Sequence, residues 1–570
     1  MVTDAAVVSA PSLVAGPTDR PLLNLTVDQT LKAAVAGGAE RPALIVPHQS
    51  VRYSYRDLDA AVEQVALGLL AHGLQPGDRI GIWAPNCTEW VLTMYAAARA
   101  GLILVNINPA YRTSELDYAL KQVGCRALVF SRNFKGSNYH AMLAQLIPEL
   151  SGLAAGARVT STAYPQLQLL VRIGAEPTSG CIAFEDLRTA GVRGATGALA
   201  RIAAAVDPAA PYNIQFTSGT TGNPKGATLT HNNIVNNAYF TAEGMRLTEL
   251  DRVCVPVPLY HCFGMVMGVL ATATHGAASV FPCDAFESIA VLEAVERERC
   301  TALYGVPTMF IAMLEHPRFK DFDLCSLRTG IMAGAPCPIA VMRRVIGEMH
   351  IPEVTICYGM TETSPVSFQS GCADSIERRV STVGRVHPHV QVKIVDESGA
   401  TTPRGQYGEL LTRGYSVMHG YWGDPARTAD AIDADGWMHT GDLGSLDADG
   451  YCNIVGRLKD LIIRGGENIS PREVEEFLYR HPAVLDVAVI GVPDPKFGEA
   501  VCACIRRRDG MMVTEEEIRE FCHGQIAHYK VPRYVRFIDA FPMTVTGKVQ
   551  KFLLRDQLRA ELHLVEEAHA

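Results

Sequence analysis

The sequence lacks the patterns that mark several large classes of protein. No Gly-x-Gly occurs in its 570 residues, so the glycine fingerprint of dinucleotide-binding folds is absent. The 15 cysteines are scattered, odd in number and never spaced Cys-x-x-Cys, which disfavours a disulfide framework and fits a reducing compartment. With a net charge of −9, the chain has no overall positive charge for binding nucleic acid or an anionic membrane. Any anion must therefore be bound by a local cluster.

The sequence also lacks a recognisable targeting segment or membrane span. Its first twenty residues contain Asp4 and Asp19, and their only basic residue is Arg20, which fits neither a secretory signal nor an Arg-rich transit peptide. The most apolar window, residues 265–281, is interrupted by His275 and several Thr and Gly, so it predicts a buried helix followed by a strand. We therefore predict a cytoplasmic protein without an integral membrane span.

What the sequence does contain is a regular alternation of strand and helix signals. Hydrophobic residues make up 48% of the chain, enough for one large and one small domain. Apolar runs typical of strands alternate with amphipathic runs, which predicts an α/β fold with layered, largely parallel sheets. Helix starts are expected at Thr26, Ser54, Thr230, Ser470 and Thr514, and the last two have the spacing of a capping box with Glu473 and Glu517.

We predict three parts of the chain. Residues 1–25 form a loose N-terminal tail, and residues 26–456 form a large N-terminal domain. Within that domain, residues 383–451 are rich in β-branched residues, Gly and short turns, which predicts a small β-barrel or a distorted antiparallel sheet. Residues 457–570 form a small, mobile α+β C-terminal domain.

One stretch has the composition of a phosphate-binding loop and follows a predicted strand. Its Gly residues allow a tight backbone with exposed N–H groups, its hydroxyls add donors, and one Lys adds positive charge. It is not the common phosphate loop, because Pro precedes the Lys and Gly follows it. The alternative is a flexible surface loop, which a Pro before a single Lys disfavours. The stretch comprises Thr217, Ser218, Gly219, Thr220, Thr221, Gly222, Asn223, Pro224, Lys225 and Gly226.

This stretch closely resembles the phosphate-binding signature of the adenylate-forming enzymes, which include acyl-CoA synthetases, adenylation domains and beetle luciferases. The resemblance implies ATP and Mg²⁺ as cofactors and a carboxylic acid as substrate. Residues 356–363 resemble the Tyr-Gly-x-Thr-Glu motif of the same family. Tyr358 offers a ring face for adenine, Thr361 a hydroxyl for the α-phosphate, and Glu362 a hard oxygen ligand for Mg²⁺. The alternative is a strand-to-loop turn with an incidental Glu.

Further candidates for nucleotide binding follow from small residues and from the resemblance. Gly334, Ala335 and Pro336 end a predicted strand, where backbone can lie flat against a planar base. By resemblance, Asp442 accepts hydrogen bonds from both ribose hydroxyls, and Arg457 contacts the ribose.

The acid is expected beside Tyr260-His261. By resemblance His261 lies near the substrate carboxylate, although a His beside aromatic residues is as often a packed side chain. Amino-acid adenylation domains usually have an acidic residue here, so we predict a carboxylic acid without an α-amino group. The apolar residues that follow either wall an alkyl or aryl pocket or belong to the core: Phe263, Met265, Val266, Val269 and Leu270.

The resemblance assigns roles to four residues of the predicted C-terminal domain. Lys459 occupies the hinge, and Gly465 and Gly466 allow the pantetheine arm of CoA to approach. Lys548 follows a Thr-Gly turn, at the motif that carries the family's catalytic Lys.

The implied enzyme is an AMP-forming acid–thiol ligase. It activates a carboxylic acid and transfers the acyl group to CoA. The motifs most resemble those of the medium-chain fatty acyl-CoA synthetases, which implies a medium-chain or longer fatty acid. Three alternatives stay open: a fatty acyl-AMP ligase that delivers to a carrier protein, an aryl-CoA ligase, and a non-catalytic binding protein on this fold. No nucleic-acid partner is expected, and the oligomeric state stays open, with a homodimer as one alternative.

Overall fold

The computed structural model describes residues 10–192, 196–217, 224–335, 337–465, 467–544 and 547–561, without the side chains of Thr196 and Lys459. The strands in this part of the chain, in order, are β1 (Leu13–Ala15), β2 (Pro42–Val46), β3 (Val51–Ser54), β4 (Arg79–Trp83), β5 (Ile103–Asn106), β6 (Ala127–Phe130), β7 (Asn133–Phe134), β8 (Ser137–Asn138), β9 (Leu169–Arg172), β10 (Ile182–Ala183), β11 (Pro211–Thr217), β12 (Lys225–Thr230), β13 (Arg252–Cys254), β14 (Ala278–Val280), β15 (Ala302–Gly305), β16 (Thr329–Ala333), β17 (Glu353–Gly359), β18 (Val366–Gln369), β19 (Arg385–Val386), β20 (Val390–Val395), β21 (Gly408–Gly414), β22 (Gly420–Tyr421), β23 (Met438–Leu446), β24 (Cys452–Arg457), β25 (Ile462–Arg464), β26 (Glu467–Ile469), β27 (Val484–Asp494), β28 (Gly498–Arg507) and β29 (Tyr534–Phe537).

The α-helices of the described residues are α1 (Val27–Gly38), α2 (Tyr55–Ala71), α3 (Thr88–Arg99), α4 (Thr113–Val123), α5 (Tyr139–Leu146), α6 (Phe184–Val192), α7 (Thr196–Ala205), α8 (His231–Gly244), α9 (Ala271–His275), α10 (Ser288–Glu298), α11 (Pro307–Leu314), α12 (Ile339–Glu348), α13 (Ile376–Ser381), α14 (Pro425–Ala431), α15 (Pro471–Leu478), α16 (Glu515–Cys522) and α17 (Lys551–Glu561). None of these helices has both the length and the apolar character that a membrane span needs. A π-helix, Phe263–Leu270, joins directly to α9.

Two large sheets with helices packed on them form the α/β part of the molecule. The eight-stranded sheet has the order β10-β9-β6-β4-β5-β11-β12-β22 and is parallel from β10 to β11. The nine-stranded sheet has the order β19-β18-β17-β16-β15-β13-β14-β2-β3 and is parallel from β17 to β2. The largest apolar cluster draws residues from both sheets, the π-helix and α8. This architecture confirms the predicted layered α/β fold.

The predicted small β subdomain is a five-stranded antiparallel sheet with the order β1-β20-β21-β23-β24. Its edge strand β1 comes from the segment predicted as a loose tail. Leu13 pairs with Lys393 and Ala15 with Gln391, so the tail prediction is wrong for residues 13–15. Three residues carry too little pattern of their own to reveal a strand whose partner is far away in sequence.

The chain after β24 forms a separate sheet with the order β26-β25-β28-β27, to which β29 adds beside β28. Helices α15, α16 and α17 accompany it, as an α+β unit requires.

The helix starts follow from local chemistry at four of the five predicted positions. Thr26, Ser54, Thr230 and Thr514 each accept a hydrogen bond from the backbone N–H three residues on, and each helix has the complete capping box.

The fifth position begins its helix differently. Ser470 precedes α15 and Pro471 is its first residue, but the Ser470 hydroxyl makes no capping bond. It donates instead to the Val455 carbonyl in β24, so the predicted capping box is wrong. Because that carbonyl lies in the five-stranded sheet, the hydroxyl joins α15 to the rest of the molecule.

Candidate active site

The predicted phosphate loop joins two antiparallel strands of the eight-stranded sheet. Thr217 at the end of β11 pairs with Lys225 at the start of β12. Within the loop, Ser218, Gly219, Thr220, Thr221, Gly222 and Asn223 lie outside the described residues. Lys225 Nζ lies 4.9 Å from the centroid of the Tyr421 ring, so the ammonium is held at the base of the loop by a cation–π contact.

Glu362 is tied directly to this hairpin. It lies in a short 3₁₀ turn, Thr361–Thr363, just after β17, and is 5% exposed. Thr217 Oγ1 donates to Glu362 Oε1 at 3.0 Å, and the Tyr421 hydroxyl donates to the same oxygen at 3.1 Å. Among the described residues, Oε2 of Glu362 accepts no side-chain hydrogen bond. The carboxylate is thus buried and oriented through Oε1.

A second polar group lies at the ends of β17 and β24 and in the middle of β23. The Tyr358 hydroxyl donates to Asp442 Oδ2 at 2.5 Å, and Arg457 Nε lies 3.3 Å from Asp442 Oδ1. Asp442 and Arg457 are directly paired residues of β23 and β24. Burial raises the pKa of Asp442, and the nearby Arg457 charge opposes that rise. The three residues form one cluster with a carboxylate, a phenol and a guanidinium.

The Lys548 loop reaches this site from the C-terminal segment. Lys548 N donates to Thr544 Oγ1 at 3.0 Å, and Thr544 N donates to the Lys548 carbonyl at 2.8 Å, which closes the turn. Thr308 Oγ1, at the start of α11, donates to the Gly547 carbonyl at 3.3 Å. Lys548 Cε lies 3.4 Å from the place where a Cβ on Gly334 would be. The loop is therefore docked on the ends of β15 and β16.

The charge environment places Lys548 between the two clusters. Burial is the main cause that lowers the pKa of Lys548, and the Arg457 charge lowers it further. The carboxylates of Asp442 and Glu362 both act in the opposite direction. An ammonium at this position can neutralise developing negative charge on a bound phosphate.

His261 lies two residues before the π-helix and close enough to Lys548 for that charge to act on it. Its Nδ1 accepts a hydrogen bond from Phe263 N at 3.2 Å, which leaves the proton on Nε2. Burial and the Lys548 charge lower the pKa of His261 to about 3, so the imidazole is neutral near pH 7. A neutral ring with an Nε2–H can donate to a carboxylate or phosphate oxygen.

The apolar residues after His261 are buried on the π-helix and in the largest core cluster. π-Helices are rare and often mark functional sites, because the wider turn redirects side chains. The sequence left a pocket wall and a core role open as alternatives, and these residues lie in the core just after His261. They are Phe263, Met265, Val266, Val269 and Leu270.

The structure describes the remaining predicted residues only in part. Gly334 and Ala335 follow β16, and Gly334 lies beside Lys548. Pro336 lies outside the described residues. Gly465 follows β25 and donates its N–H to the Phe497 carbonyl, a contact within the C-terminal sheet. Gly466 lies outside the described residues, as does the Lys459 side chain; the Lys459 backbone forms part of a 3₁₀ turn, Leu458–Asp460.

Sequence reasoning missed two residues that shape the site. Tyr421 lies outside the motifs, yet its ring and hydroxyl contact Lys225 and Glu362. Thr308 follows the small-residue end of β15 and holds the Lys548 loop. Neither carries a local sequence signal, because their partners are far away in the chain. Tyr421 bonds to Glu362, 59 positions away, and Thr308 bonds to Gly547, 239 positions away.

The described residues contain no group of three or more His, Cys, Asp or Glu arranged to hold a metal ion. The single buried carboxylate of Glu362 fits Mg²⁺ held jointly with phosphate oxygens and water, which is how Mg²⁺ is usually bound beside nucleotides.

Comparison with known proteins places this geometry in context. Residues 31–422 match the AMP-binding enzyme family, and residues 473–548 match the AMP-binding enzyme C-terminal domain. The protein YngI of Bacillus subtilis, named as an acyl-CoA synthetase, is 48% identical over 537 residues, covering 94% of this chain and 97% of its own. The mitochondrial medium-chain acyl-CoA ligase ACSF2 of Danio rerio is 47% identical over 558 residues, covering 97% of this chain and 91% of its own. A crystal structure of the anthranilate CoA ligase AuaEII with anthranoyl-AMP superposes with a TM-score of 0.83 at 27% identity, covering 96% of this chain and 99% of that one.

Proposed function

Because this chain belongs to the AMP-binding enzyme family, we propose that it activates a medium-chain fatty acid with ATP and transfers the acyl group to CoA. The chain is an acid–thiol ligase of the acyl-CoA synthetase type. The acid carboxylate attacks the α-phosphorus of ATP, the bond to the β-phosphate oxygen breaks, and pyrophosphate leaves. The CoA sulfur then attacks the carbonyl carbon of the acyl-adenylate, and AMP leaves.

The observation that carries the site assignment is the convergence of distant segments around Lys548. The pKa of Lys548 responds to the charges of Glu362, Asp442 and Arg457. Glu362 is in turn bonded to Thr217, and Asp442 is paired with Arg457. In our proposal, Asp442 and Arg457 hold the ribose, and Lys225 and Lys548 contact the phosphates. Catalysis then depends mainly on positioning and on charge neutralisation.

The remaining ATP contacts are proposed at the loop and around the adenine. We assign the phosphates to the backbone and hydroxyls of residues 217–225, the base to Tyr358 and to the backbone of residues 334–336, and the α-phosphate to Thr361. Glu362 would hold Mg²⁺, which supplies charge neutralisation on the phosphates when it is bound.

The acid would lie between His261 and the π-helix. In this proposal the His261 Nε2–H donates to the substrate carboxylate, and the neutral state of the ring avoids a second cation close to Lys548. The buried apolar side chains of the π-helix suit an alkyl chain better than a charged substrate. The similarity to a medium-chain acyl-CoA ligase supports the same choice.

We also propose that the molecule works as two parts, residues 26–456 and 457–570. The five-stranded sheet ends with Arg457 and every later strand belongs to the C-terminal sheet, which supports a boundary there. In this proposal the small part turns about Lys459 between the two reactions, which withdraws Lys548 and brings Gly465 and Gly466 to the thiol.

We also propose a cellular compartment for the protein. All 15 cysteines are unpaired, which supports a reducing compartment such as the cytoplasm. The relative from Danio rerio carries the word mitochondrial in its name, and a mitochondrial matrix would meet the same chemical requirement.

A CoA-consumption assay with fatty acids of graded length tests the proposal, with pyrophosphate release measured in parallel. We expect both signals with acids of medium length. Pyrophosphate release without CoA consumption would instead indicate an acyl-AMP ligase that serves a carrier protein. A stronger response to aryl acids would favour an aryl-CoA ligase, the second candidate, which the structural similarity to an anthranilate CoA ligase supports.

A further inference from the structure

The strand that leads into the phosphate loop carries amides where a buried strand ordinarily carries aliphatic side chains. β11 lies between β5 and β12, inside the eight-stranded sheet. Asn213 and Gln215 are on the same face as Thr217, because alternate residues of a strand share a face. Asn213 is 0% exposed and Gln215 2%. Strands this deep are usually rich in Val, Ile and Leu, so two carboxamides need a reason.

These amides belong to a continuous chain of hydrogen bonds. Gln215 Nε2 donates to Asn213 Oδ1 at 2.8 Å, and Asn213 Nδ2 donates to Asn106 Oδ1 at 2.9 Å. At one end, Asn106 Nδ2 donates to the Tyr260 carbonyl at 3.0 Å. At the other end, the Cys262 thiol donates to Gln215 Oε1 at 3.1 Å. Each bond fixes the orientation of the next amide, so the chain has a single consistent arrangement.

The two ends of this chain hold the residues immediately before and after His261. The Tyr260 carbonyl is held by Asn106, and the Cys262 side chain by Gln215. The same face of β11 ends in Thr217, which bonds to Glu362. One strand therefore fixes both the segment that presents His261 and the carboxylate on the phosphate side.

We propose that the buried amides Asn106, Asn213 and Gln215 act as positioning residues for His261. They keep its Nε2–H at a set distance from the phosphate-binding groups, so that the acid carboxylate is held in line with the α-phosphorus. This inference rests on the proposed function of His261. Displacements of about 1 Å at such a site can cost on the order of 100-fold in rate. Catalysis would therefore explain why these amides are present in a buried strand.

The competing explanation is that the amides only stabilise the core. Asn236 provides a matched control, because it is 0% exposed and fully bonded but away from the site. Its side chain donates to the Leu23 carbonyl and accepts from Leu23 N. Asn236→Leu should therefore lower stability without moving His261.

The first experiment compares Gln215→Met with Asn236→Leu by acid-dependent ATP–pyrophosphate exchange. We expect Gln215→Met to lower kcat on the order of 30-fold, or about 2 kcal/mol, with the KM for ATP within about two-fold of wild type. Asn236→Leu should keep the wild-type kcat although its melting temperature falls. Equal kcat values for the two variants would overturn the positioning role and leave a structural one.

A second pair perturbs the other end of the chain with a smaller change. Cys262→Ser keeps a donor to Gln215, whereas Cys262→Val is apolar and has no donor. We expect near wild-type exchange for the Ser variant and a loss of about 10-fold for the Val variant. In the Gln215→Met background the two should no longer differ, because the bond they test is already absent.

Failure of this inference is distinguishable from failure of the proposed function. If wild-type protein exchanges no pyrophosphate with any acid, the proposed function is wrong and this inference falls with it. If wild-type protein is active but Cys262→Val and Cys262→Ser behave alike, only the positioning role is overturned.

Discussion

The hydroxyl of Tyr421 should matter for ATP activation even though it lies outside every sequence motif. It donates to Glu362 Oε1 at 3.1 Å, and Thr217 supplies the second bond to the same oxygen. Tyr421→Phe removes that bond while the ring keeps its cation–π contact with Lys225. The substitution therefore isolates the orientation of the Glu362 carboxylate from packing and from the Lys225 charge.

The size of the effect follows from the charge on the acceptor. Hydrogen bonds to charged groups contribute about 1.5–3 kcal/mol, and each 1.36 kcal/mol changes a rate tenfold. We expect kcat/KM for ATP in pyrophosphate exchange to fall between about 10-fold and about 150-fold. The Mg²⁺ concentration that gives half-maximal rate should rise, because the misoriented carboxylate is a poorer ligand.

Tyr55→Phe is the matched control for this prediction. Tyr55 is 2% exposed, against 8% for Tyr421, and its hydroxyl donates to the Ala277 carbonyl at 2.6 Å rather than to Glu362. Its loss should lower stability but leave kcat/KM and the Mg²⁺ response unchanged. If Tyr421→Phe stayed within about two-fold of wild type, or changed only as Tyr55→Phe does, the assigned role of Glu362 would be refuted.

Three further predictions concern Lys548 and the domain joint. Lys548→Ala should lose pyrophosphate exchange far more than thioester formation from supplied acyl-adenylate; retention of full exchange would contradict its phosphate role. Because burial and Arg457 lower the pKa of Lys548, its ammonium deprotonates below the ordinary value of 10.5, so kcat/KM for ATP should fall as pH rises through that lowered pKa. This alkaline loss should be absent from the residual activity of Lys548→Arg, and an unchanged profile would show that another group titrates. Lys459→Pro should spare adenylate formation and impair thioester formation, as single-turnover measurements of each step would reveal; equal losses in both would count against a hinge at this residue.

Local chemistry made much of the fold predictable from sequence. The helix starts at Thr26, Ser54, Thr230 and Thr514 need only a side-chain oxygen and a backbone N–H three residues on, so pattern alone locates them. The strand–helix alternation likewise depends on spacing within one segment, and it predicted the layered α/β architecture.

The parts that escaped prediction depend on partners far away in the chain. Strand β1 exists only because residues near position 392 pair with it. The Ser470 hydroxyl donates to the Val455 carbonyl instead of capping its helix, and this bond is visible only in the folded structure. The polar face of β11 was overlooked because the apolar residues on its other face already predicted a strand.

The candidate active site was likewise predicted only in part from the sequence. Motif order suggested that the phosphate loop and Glu362 meet, but the bond between Thr217 and Glu362 joins residues 145 positions apart and is visible only in three dimensions. Tyr421 became a site residue for the same reason.

On the proposed placement of the acid beside His261, the π-helix that follows offers a simple way to change the substrate. A π-helix holds more residues per turn than an α-helix, so deleting one residue from Phe263–Leu270 would let the segment relax to α-helical turns and redirect the side chains within it. A single-codon deletion would thus rebuild the proposed wall of the acid pocket while leaving Lys548, Glu362 and Asp442 in place. Comparing the chain-length profiles of such a deletion variant and the wild type would reveal whether related enzymes can diverge in this way.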